Sequence, residues 1–251
     1  MNRLALWLFF LSAACVRGQG NPAAIPAGYT VPSDSCSPDG RYGVTVPVLA
    51  AHLDNGEFQD PDDSRNRLVE VPSGRVVATV DAGFVGWDRM NHDEVLPSRW
   101  SADSSTLVWQ IDGKWSDAAL VVLRLQHGRL LWQTNVLAEA QRAILARTKK
   151  AAPRKYALVR RTNVGMGTMG PDQVGGVDDP RSAYPEGFSI QVDVVGPVTF
   201  PLYVTAELTS EAKPGTPMYG VLASHLTGLL DARGKLMVTG FHLGPARPSH
   251  F

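Results

Sequence analysis

Apolar and polar residues alternate along four stretches of the first half of the chain, and this period of two predicts β-strands. Two of the stretches run through a glycine, Gly74 or Gly128, into a second alternating run. Each of these two therefore predicts a strand, a short turn and a returning strand, since glycine adopts a positive φ without strain. The single strands are predicted at residues 41–46 and 106–111, and the strand pairs at residues 67–80 and 121–134.

A tight turn is predicted just before each single strand. In the sequence SPDG at residues 37–40, proline fixes φ, aspartate bonds its own backbone and glycine accepts a positive φ. The sequence SADS at residues 101–104 repeats this turn with Ala102 and Ser104 in place of the proline and the glycine. The chain therefore encodes the same order of turn, strand and strand pair twice.

This order carries a resemblance to a known kind of repeat. An SPDG turn, an apolar strand and a strand pair across a Ser-Gly-Arg or His-Gly-Arg turn resemble the four-stranded blade of periplasmic β-propellers such as those of the Tol system. The resemblance covers about residues 34–135 and implies two blade-like antiparallel units. A propeller closes with at least about four blades, so we expect an open sheet or a partial propeller covered by other elements. The segment 100–129 is also similar to uncharacterised bacterial secreted proteins, which implies no particular activity.

The second half of the chain predicts a helix, a loop and another sheet. Asn135 is a suitable cap for a helix over residues 136–152, which Pro153 should end. Residues 162–187 are rich in glycine, proline and aspartate and predict a long loop, although residues 156–161 before them have the pattern of a strand. Four further strands predict a second antiparallel sheet within residues 188–244, at 188–195, 200–208, 221–230 and 235–241, the last two joined by a turn at 231–234. The fold class expected is mainly β with one main helix (α+β): two blade-like antiparallel β units, a helix, then a second antiparallel sheet.

The amino terminus predicts export. Residues 1–18 combine an early positive charge, an apolar run and small residues, the pattern of a secretory signal peptide. The expected location is periplasmic or secreted, and a lipoprotein acylated at Cys15 is an alternative. Either processing route leaves Cys36 as the one thiol, which excludes an internal disulfide and predicts a buried or half-buried residue at a strand start.

Composition and charge narrow the choice of partners. Hydrophobic residues make up 44% of the chain, which argues against disorder over most of it. The net charge is zero, but its distribution is uneven. Residues 34–94 include 12 acidic and 5 basic residues, whereas residues 95–161 include 4 acidic and 12 basic residues. These segments are expected to attract each other, which makes a dedicated nucleic-acid surface the less favoured interpretation. A contact with an anionic surface at the helix end is an alternative role for Lys149, Lys150, Arg154 and Lys155.

Two familiar motifs are present without the context that they require. The sequence GMGTMG at residues 165–170 has the glycine spacing of a dinucleotide-binding turn, but the residues after it do not predict the helix that such a turn needs. The sequence SEAK at residues 210–213 has the spacing of penicillin-recognising enzymes, but proline and glycine follow at once. No cofactor is therefore expected.

Three groups of residues are candidates for a site. The acidic segment 52–63 predicts a solvated insertion loop, with a weak calcium site as the alternative. A general base or metal site is the second candidate, and an exposed aromatic groove for a ligand is the third. The residues concerned are Asp54, Asp60, Asp62 and Asp63 for calcium, His92, Asp93 and Glu94 for catalysis, and Trp87 and Trp115 for ligand binding.

Taken together, these patterns favour a non-catalytic function over an enzyme. We expect an exported envelope protein that uses its repeated units as a scaffold to hold a partner protein or ligand. The alternative is a hydrolase or metal-dependent enzyme with its site near His92. A binding scaffold requires a connected exposed apolar patch, whereas the enzyme requires polar groups that converge in one pocket.

Overall fold

The computed structural model describes residues 25–48, 53–54, 57–58, 65–82, 85–86, 94–112, 117–163, 185–210 and 222–244. The expectation of a mainly β chain of the α+β class is confirmed. In chain order the strands are β1 (Tyr29–Thr30), β2 (Tyr42–Pro47), β3 (Leu53–Asp54), β4 (Glu57–Phe58), β5 (Arg67–Glu70), β6 (Arg75–Thr79), β7 (Glu94–Val95), β8 (Arg99–Trp100), β9 (Thr106–Asp112), β10 (Asp117–Gln126), β11 (Arg129–Asn135), β12 (Ser189–Val195), β13 (Leu202–Thr209), β14 (Ala223–Leu230) and β15 (Leu236–Leu243); the helices are α1 (Val136–Ala151) and α2 (Pro153–Asn163).

The strands form three main antiparallel sheets. The first sheet has the order β1-β2-β5-β6, and the middle sheet has the order β11-β10-β9, with β7 and β8 both paired to β9. The C-terminal sheet has the order β12-β13-β14-β15. Strands β3 and β4 pair within the acidic segment that was predicted to be a loop, so that prediction is wrong for these four residues.

The two predicted turns share one hydrogen-bond pattern. The hydroxyl of Ser37 donates to the Asp39 carboxylate (2.6 Å) and accepts from the backbone N–H of Tyr42 (2.9 Å). The hydroxyl of Ser101 donates to the Asp103 carboxylate (2.6 Å) and accepts from the backbone N–H of Thr106 (2.9 Å). Each serine hydroxyl therefore donates to one partner and accepts from another within the turn, and it fixes the first residue of the strand that follows.

The backbone of the second turn takes the same path as that of the first without its glycine. Gly40 has φ +67°, and Ser104, at the equivalent position, has φ +56°. The two turns are also neighbours, because the Asp39 N–H donates to the Ser104 hydroxyl (3.3 Å). The predicted reversals at Gly74 (φ +65°) and Gly128 (φ +73°) are confirmed as well. Their loops differ, because four residues separate the paired strands at 71–74 and two separate them at 127–128.

The middle sheet is buried on both faces. Alternate residues of β9 and β10 form one hydrophobic cluster with the first sheet, through side chains such as Trp109 and Val121. The intervening residues Val108, Leu120 and Val122 belong to a second cluster that includes α1 and the C-terminal sheet. The first and middle sheets, which carry opposite charge in sequence, therefore meet through apolar side chains.

The prediction of one main helix is wrong, because a second helix follows the first. The predicted cap at Asn135 is confirmed, since its side chain accepts the Ala138 N–H at 3.0 Å. Helix α1 ends just before Pro153, as expected, but the proline also begins α2, where its missing N–H costs nothing. Residues 156–161 are thus helical and not a strand, with Tyr156 and Val159 three residues apart on the buried face.

The C-terminal sheet packs its inner face on α1, and side chains of its outer face are accessible to solvent. Alternate residues along β12 and β13 are buried, and the residues between them are exposed or half-buried. The turn at 231–234 lies against the middle sheet, where Trp132 Nε1–H donates to the Ala232 carbonyl (3.0 Å) and Thr134 Oγ1–H donates to the Gly234 carbonyl (2.8 Å). The four predicted strands and this turn are confirmed.

Candidate binding surfaces

Most of the predicted site residues lie outside the part of the chain that the structure describes. Glu94 is the first residue of β7 and pairs with Asp112, and Asp54 is in β3 and pairs with Glu57. The glycine motif at 165–170 and Lys213 of the SEAK motif are also outside the described residues. The remaining candidates outside them are Asp60, Asp62, Asp63, Trp87, His92, Asp93 and Trp115.

Ser210 of the SEAK motif and Cys36 carry potentially reactive groups, but both lie in surroundings that suit a structural role. Ser210 is fully buried, and its hydroxyl accepts the Leu222 N–H at 3.1 Å, which closes the end of β13. Cys36 is half-buried, as predicted, but it follows a short 3₁₀ turn and is not at a strand start. Its thiol lies 3.7 Å from the Pro32 carbonyl.

Neither a metal centre nor a membrane-spanning helix is found within the described residues. No group of three or more histidine, cysteine, aspartate and glutamate side chains is placed there to hold a metal ion. Among the same residues, no helix combines the length and the apolar character needed to cross a bilayer.

The outer face of the C-terminal sheet carries a connected line of apolar side chains. Strand pairing places Val195 opposite Tyr203, Tyr203 opposite Leu229, and Leu229 opposite Met237, so one residue from each of the four strands contributes. We call these four residues the apolar row. The exposed fractions of Val195, Tyr203 and Met237 are 49%, 63% and 44%, and Leu229 is half-buried. Neighbouring residues across a sheet have Cβ atoms about 5 Å apart, so the four side chains form one continuous patch.

The polar residues beside the apolar row give this face an acidic character. The sequences of β12, β13, β14 and β15 contain no lysine or arginine. Asp193 and Glu207 are on the outer face, and Glu207 Oε1 is 3.6 Å from Nδ1 of His225. The ring of His225 also contacts that of His242, with centroids 5.3 Å apart.

The apolar row was not found by sequence reasoning. Alternation predicted that the C-terminal sheet packs on one side, but the members of the row come from four separate strands. Only the register of the strand pairs brings them into one line. An outward-facing tyrosine in a strand whose other face is apolar is the one local signal, at Tyr203.

A basic surface is formed by the end of α1 and by α2. Residues 147–161 include seven lysine or arginine residues and no aspartate or glutamate. Six of the seven are exposed, and Arg160 is half-buried. The four residues predicted to contact an anionic surface are thus solvent-facing: Lys149, Lys150, Arg154 and Lys155.

A cavity of about 410 Å³ opens on this basic surface, and we call it the helix-pair cavity. Pro153, Tyr156 and Ala157 supply its apolar part, and three cationic side chains, Lys149, Arg160 and Arg161, complete its lining. The Lys149 ammonium is 5.9 Å from the centre of the Tyr156 ring.

The base of this region contains a buried tyrosine and a carboxylate. Tyr156 is 2% exposed, and its hydroxyl has no partner at hydrogen-bonding geometry among the described residues. Burial, and after it the neighbouring Glu186 carboxylate, raises the pKa of Tyr156 well above its ordinary value. Arg160 Nε is 3.6 Å from Glu186 Oε2, so Glu186 offsets part of the charge of Arg160.

One half-buried carboxylate joins the middle and C-terminal sheets. Asp117 Oδ2 accepts the Val192 N–H at 2.7 Å, and Oδ1 accepts from the Gln110 amide at 3.3 Å. Burial raises the pKa of Asp117 to about 6, and the negative charges of Asp193 and Asp112 add to that effect. The carboxylate links two sheets and is not part of either surface described above.

No protein-family model matches this chain, and no curated protein or solved structure matches it. The surfaces described above are therefore the features that indicate a function.

Proposed function

We propose that this protein is a non-catalytic binding scaffold of the bacterial envelope that holds a partner protein on the outer face of its C-terminal sheet. The apolar row carries the proposal, because a soluble sheet face with four adjacent apolar side chains favours association. The row includes Tyr203, and tyrosine is a residue type that often dominates binding energy. Export is supported by the signal-peptide pattern of residues 1–18.

The charge of this face selects the kind of partner. Asp193 is two residues from Val195 on the same face, Glu207 lies farther along β13 near His225, and the four strands contain no lysine or arginine. A partner segment that places lysine or arginine next to apolar side chains would satisfy both features, since complementary charges favour encounter and orientation.

The first and middle sheets have a supporting role in this proposal. Their equal turns, the contact from Asp39 to Ser104 and their face-to-face hydrophobic packing favour two blades of a partial propeller. The middle sheet then supplies the surface on which α1 and the C-terminal sheet are built. The repeat is a framework, and the partner binds elsewhere.

Defined peptides provide a test of the binding face. Three labelled peptides of equal length alternate Lys with Leu, Glu with Leu, or Lys with Ser, and their binding is followed by fluorescence anisotropy. The Lys–Leu peptide should bind most tightly, and the double variant Tyr203→Ser, Met237→Ser should weaken it by about tenfold or more, because two exposed contacts are lost. Both side chains face solvent, so folding should be retained.

A matched double variant controls for general stickiness. Val76→Ser with Leu131→Ser also removes two exposed apolar side chains, which are 47% and 54% exposed and belong to the other two main sheets. Its affinity for the Lys–Leu peptide should stay within about twofold of the unmodified protein. An equal loss in both doubles, or equal binding of the Glu–Leu peptide, would refute the proposed face.

A further inference from the structure

The helix-pair cavity combines features that suit an amphiphilic anion. Its apolar part consists of Pro153, Tyr156 and Ala157, and cationic groups come from both helices. Lys149 and Arg161 have no carboxylate partner among the described residues, in contrast to Arg160, which faces Glu186. A free inorganic anion would leave the apolar part without a contact, whereas a phosphate ester attached to an apolar group would use both parts.

We propose that the helix-pair cavity binds the phosphate diester of an anionic phospholipid. Lys149 and Arg161 bind the phosphate, Arg160 contributes less because Glu186 shares it, and the wall at Pro153 and Ala157 contacts the apolar portion of the lipid. Arginine suits this role because its guanidinium presents paired N–H donors to phosphate oxygens. This inference goes beyond the proposed function and concerns a different surface, so either can fail without the other.

The basic residues outside the cavity provide a control that distinguishes a specific binding site from a diffuse attraction between charges. Arg154 and Lys155 are exposed on α2 but do not line the cavity. A diffuse attraction between a basic surface and an anion depends on the total charge, since it acts through solvent over a Debye length of about 8 Å. The affinity of a cavity site, by contrast, depends on which two charged side chains are removed.

The experiment is a calorimetric titration of the full chain with dihexanoyl phosphatidylglycerol below its critical micelle concentration. Lys149→Gln with Arg161→Gln should weaken binding by about tenfold or more, because two charge-assisted contacts are lost. Arg154→Gln with Lys155→Gln removes the same charge and should change the affinity by about twofold. All proteins share the same amino-terminal residues, so any lipid contact made there cancels in the comparison.

A third variant tests the cavity without changing the charge. Ala157→Phe places a ring in the space that the apolar part of the lipid would occupy, and it should weaken binding by about tenfold. Ala157 is on the exposed side of α2, so this change should leave the thermal unfolding temperature within a few degrees of the parent.

Two further ligands separate the sources of the phosphate chemistry. Dihexanoyl phosphatidylcholine has the same phosphate and acyl chains but no net charge, and it should bind about tenfold more weakly, as should inorganic phosphate. Equal binding of inorganic phosphate would assign the site to free phosphate and overturn the lipid proposal. Absence of binding of the phosphatidylglycerol, an equal loss in the two charge doubles, or unchanged affinity of Ala157→Phe would overturn it as well.

Discussion

The first and middle sheets contain the same turn, before β2 in one and before β9 in the other, but their strands differ in burial. In each, a serine hydroxyl bonds the aspartate two residues later and the first N–H of the strand. The edge strand β6 of the first sheet is exposed or half-buried along its whole length, whereas residues Ala119–Leu123 of β10, an inner strand of the middle sheet, are all buried. Local chemistry thus determines how β2 and β9 start, and the position of a strand in its sheet determines how much of it is buried.

This difference appears in the amino-acid patterns. Strand β6 reads RVVAT with no fully buried residue, while β10 carries a continuous apolar run because both of its faces are covered. Truncation of a side chain lowers the free energy of unfolding more when both faces of the strand are covered, since no solvent replaces the lost contacts.

Truncation of Trp109 should have the largest effect on stability. Trp109 is fully buried in β9, so Trp109→Ala should lower the free energy of unfolding by about 3–5 kcal/mol. Urea unfolding followed by circular dichroism measures this change. Val76→Ala in β6 is the counterpart in the first sheet and should cost less than about 0.5 kcal/mol, because that side chain is 47% exposed.

A second variant of Trp109 separates packing from polarity. Its indole N–H is buried without a hydrogen-bond partner among the described residues. Trp109→Phe keeps an aromatic ring and removes that N–H, so it should cost clearly less than the alanine variant. If alanine were tolerated as well as phenylalanine, the middle sheet would not be the core of this chain.

Asp117 should make stability depend on pH. The folded protein holds a proton on Asp117 up to about pH 6, whereas the unfolded chain releases it near its ordinary pKa of 3.8. The contribution of this group to stability therefore falls as pH rises from about 4 to 6. Asp117→Asn should remove that slope and stabilise the protein at pH 7 by roughly 1–3 kcal/mol, with little difference near pH 4. Urea midpoints measured across this range test the prediction.

Asp103 provides the opposite case in the same sheet. Hydrogen bonds from Ser101 and then from Ser105 lower the pKa of Asp103 to about 2, so its contribution is present above pH 3.8 and is lost as pH falls toward 2. Asp103→Asn should therefore destabilise the protein at pH 7, by a small amount because the residue is exposed. Stabilisation by both asparagine variants would contradict this assignment of signs.

Loss of either turn serine should destabilise the protein less than truncation of Trp109, and the cost should be equal in the two turns. Ser37→Ala and Ser101→Ala each remove a buried hydroxyl that accepts a strand N–H and donates to an aspartate, which should cost about 1–2 kcal/mol. Ser73→Ala also removes a turn serine, but an exposed one, and should cost less than about 0.5 kcal/mol. Thermal unfolding of the three variants, measured side by side, tests these predicted costs. Costs that differ by more than about 1 kcal/mol between Ser37 and Ser101 would show that the turns are not equivalent.

Sequence reasoning worked where a few adjacent residues decide the conformation. The turns at 37–40 and 101–104 and the cap at Asn135 were predicted because each depends on side chains that bond their own backbone. It failed at Pro153, because a proline that ends one helix is equally suited to begin another. Which of the two occurs depends on whether Tyr156 and Val159 find a core to pack against.

The amino-acid pattern alone specifies the repeated turn, the strands and their reversals, the first helix and the basic character of residues 147–161. Tertiary packing is needed to cover the middle sheet on both faces, to bring Lys149 and Arg161 to one cavity, and to align the four residues of the apolar row. The two kinds of feature differ in the range of the interactions that produce them. Dihedral preferences and caps act over a few residues, whereas strand register and helix packing join residues from separate elements, and no local pattern specifies which ones meet.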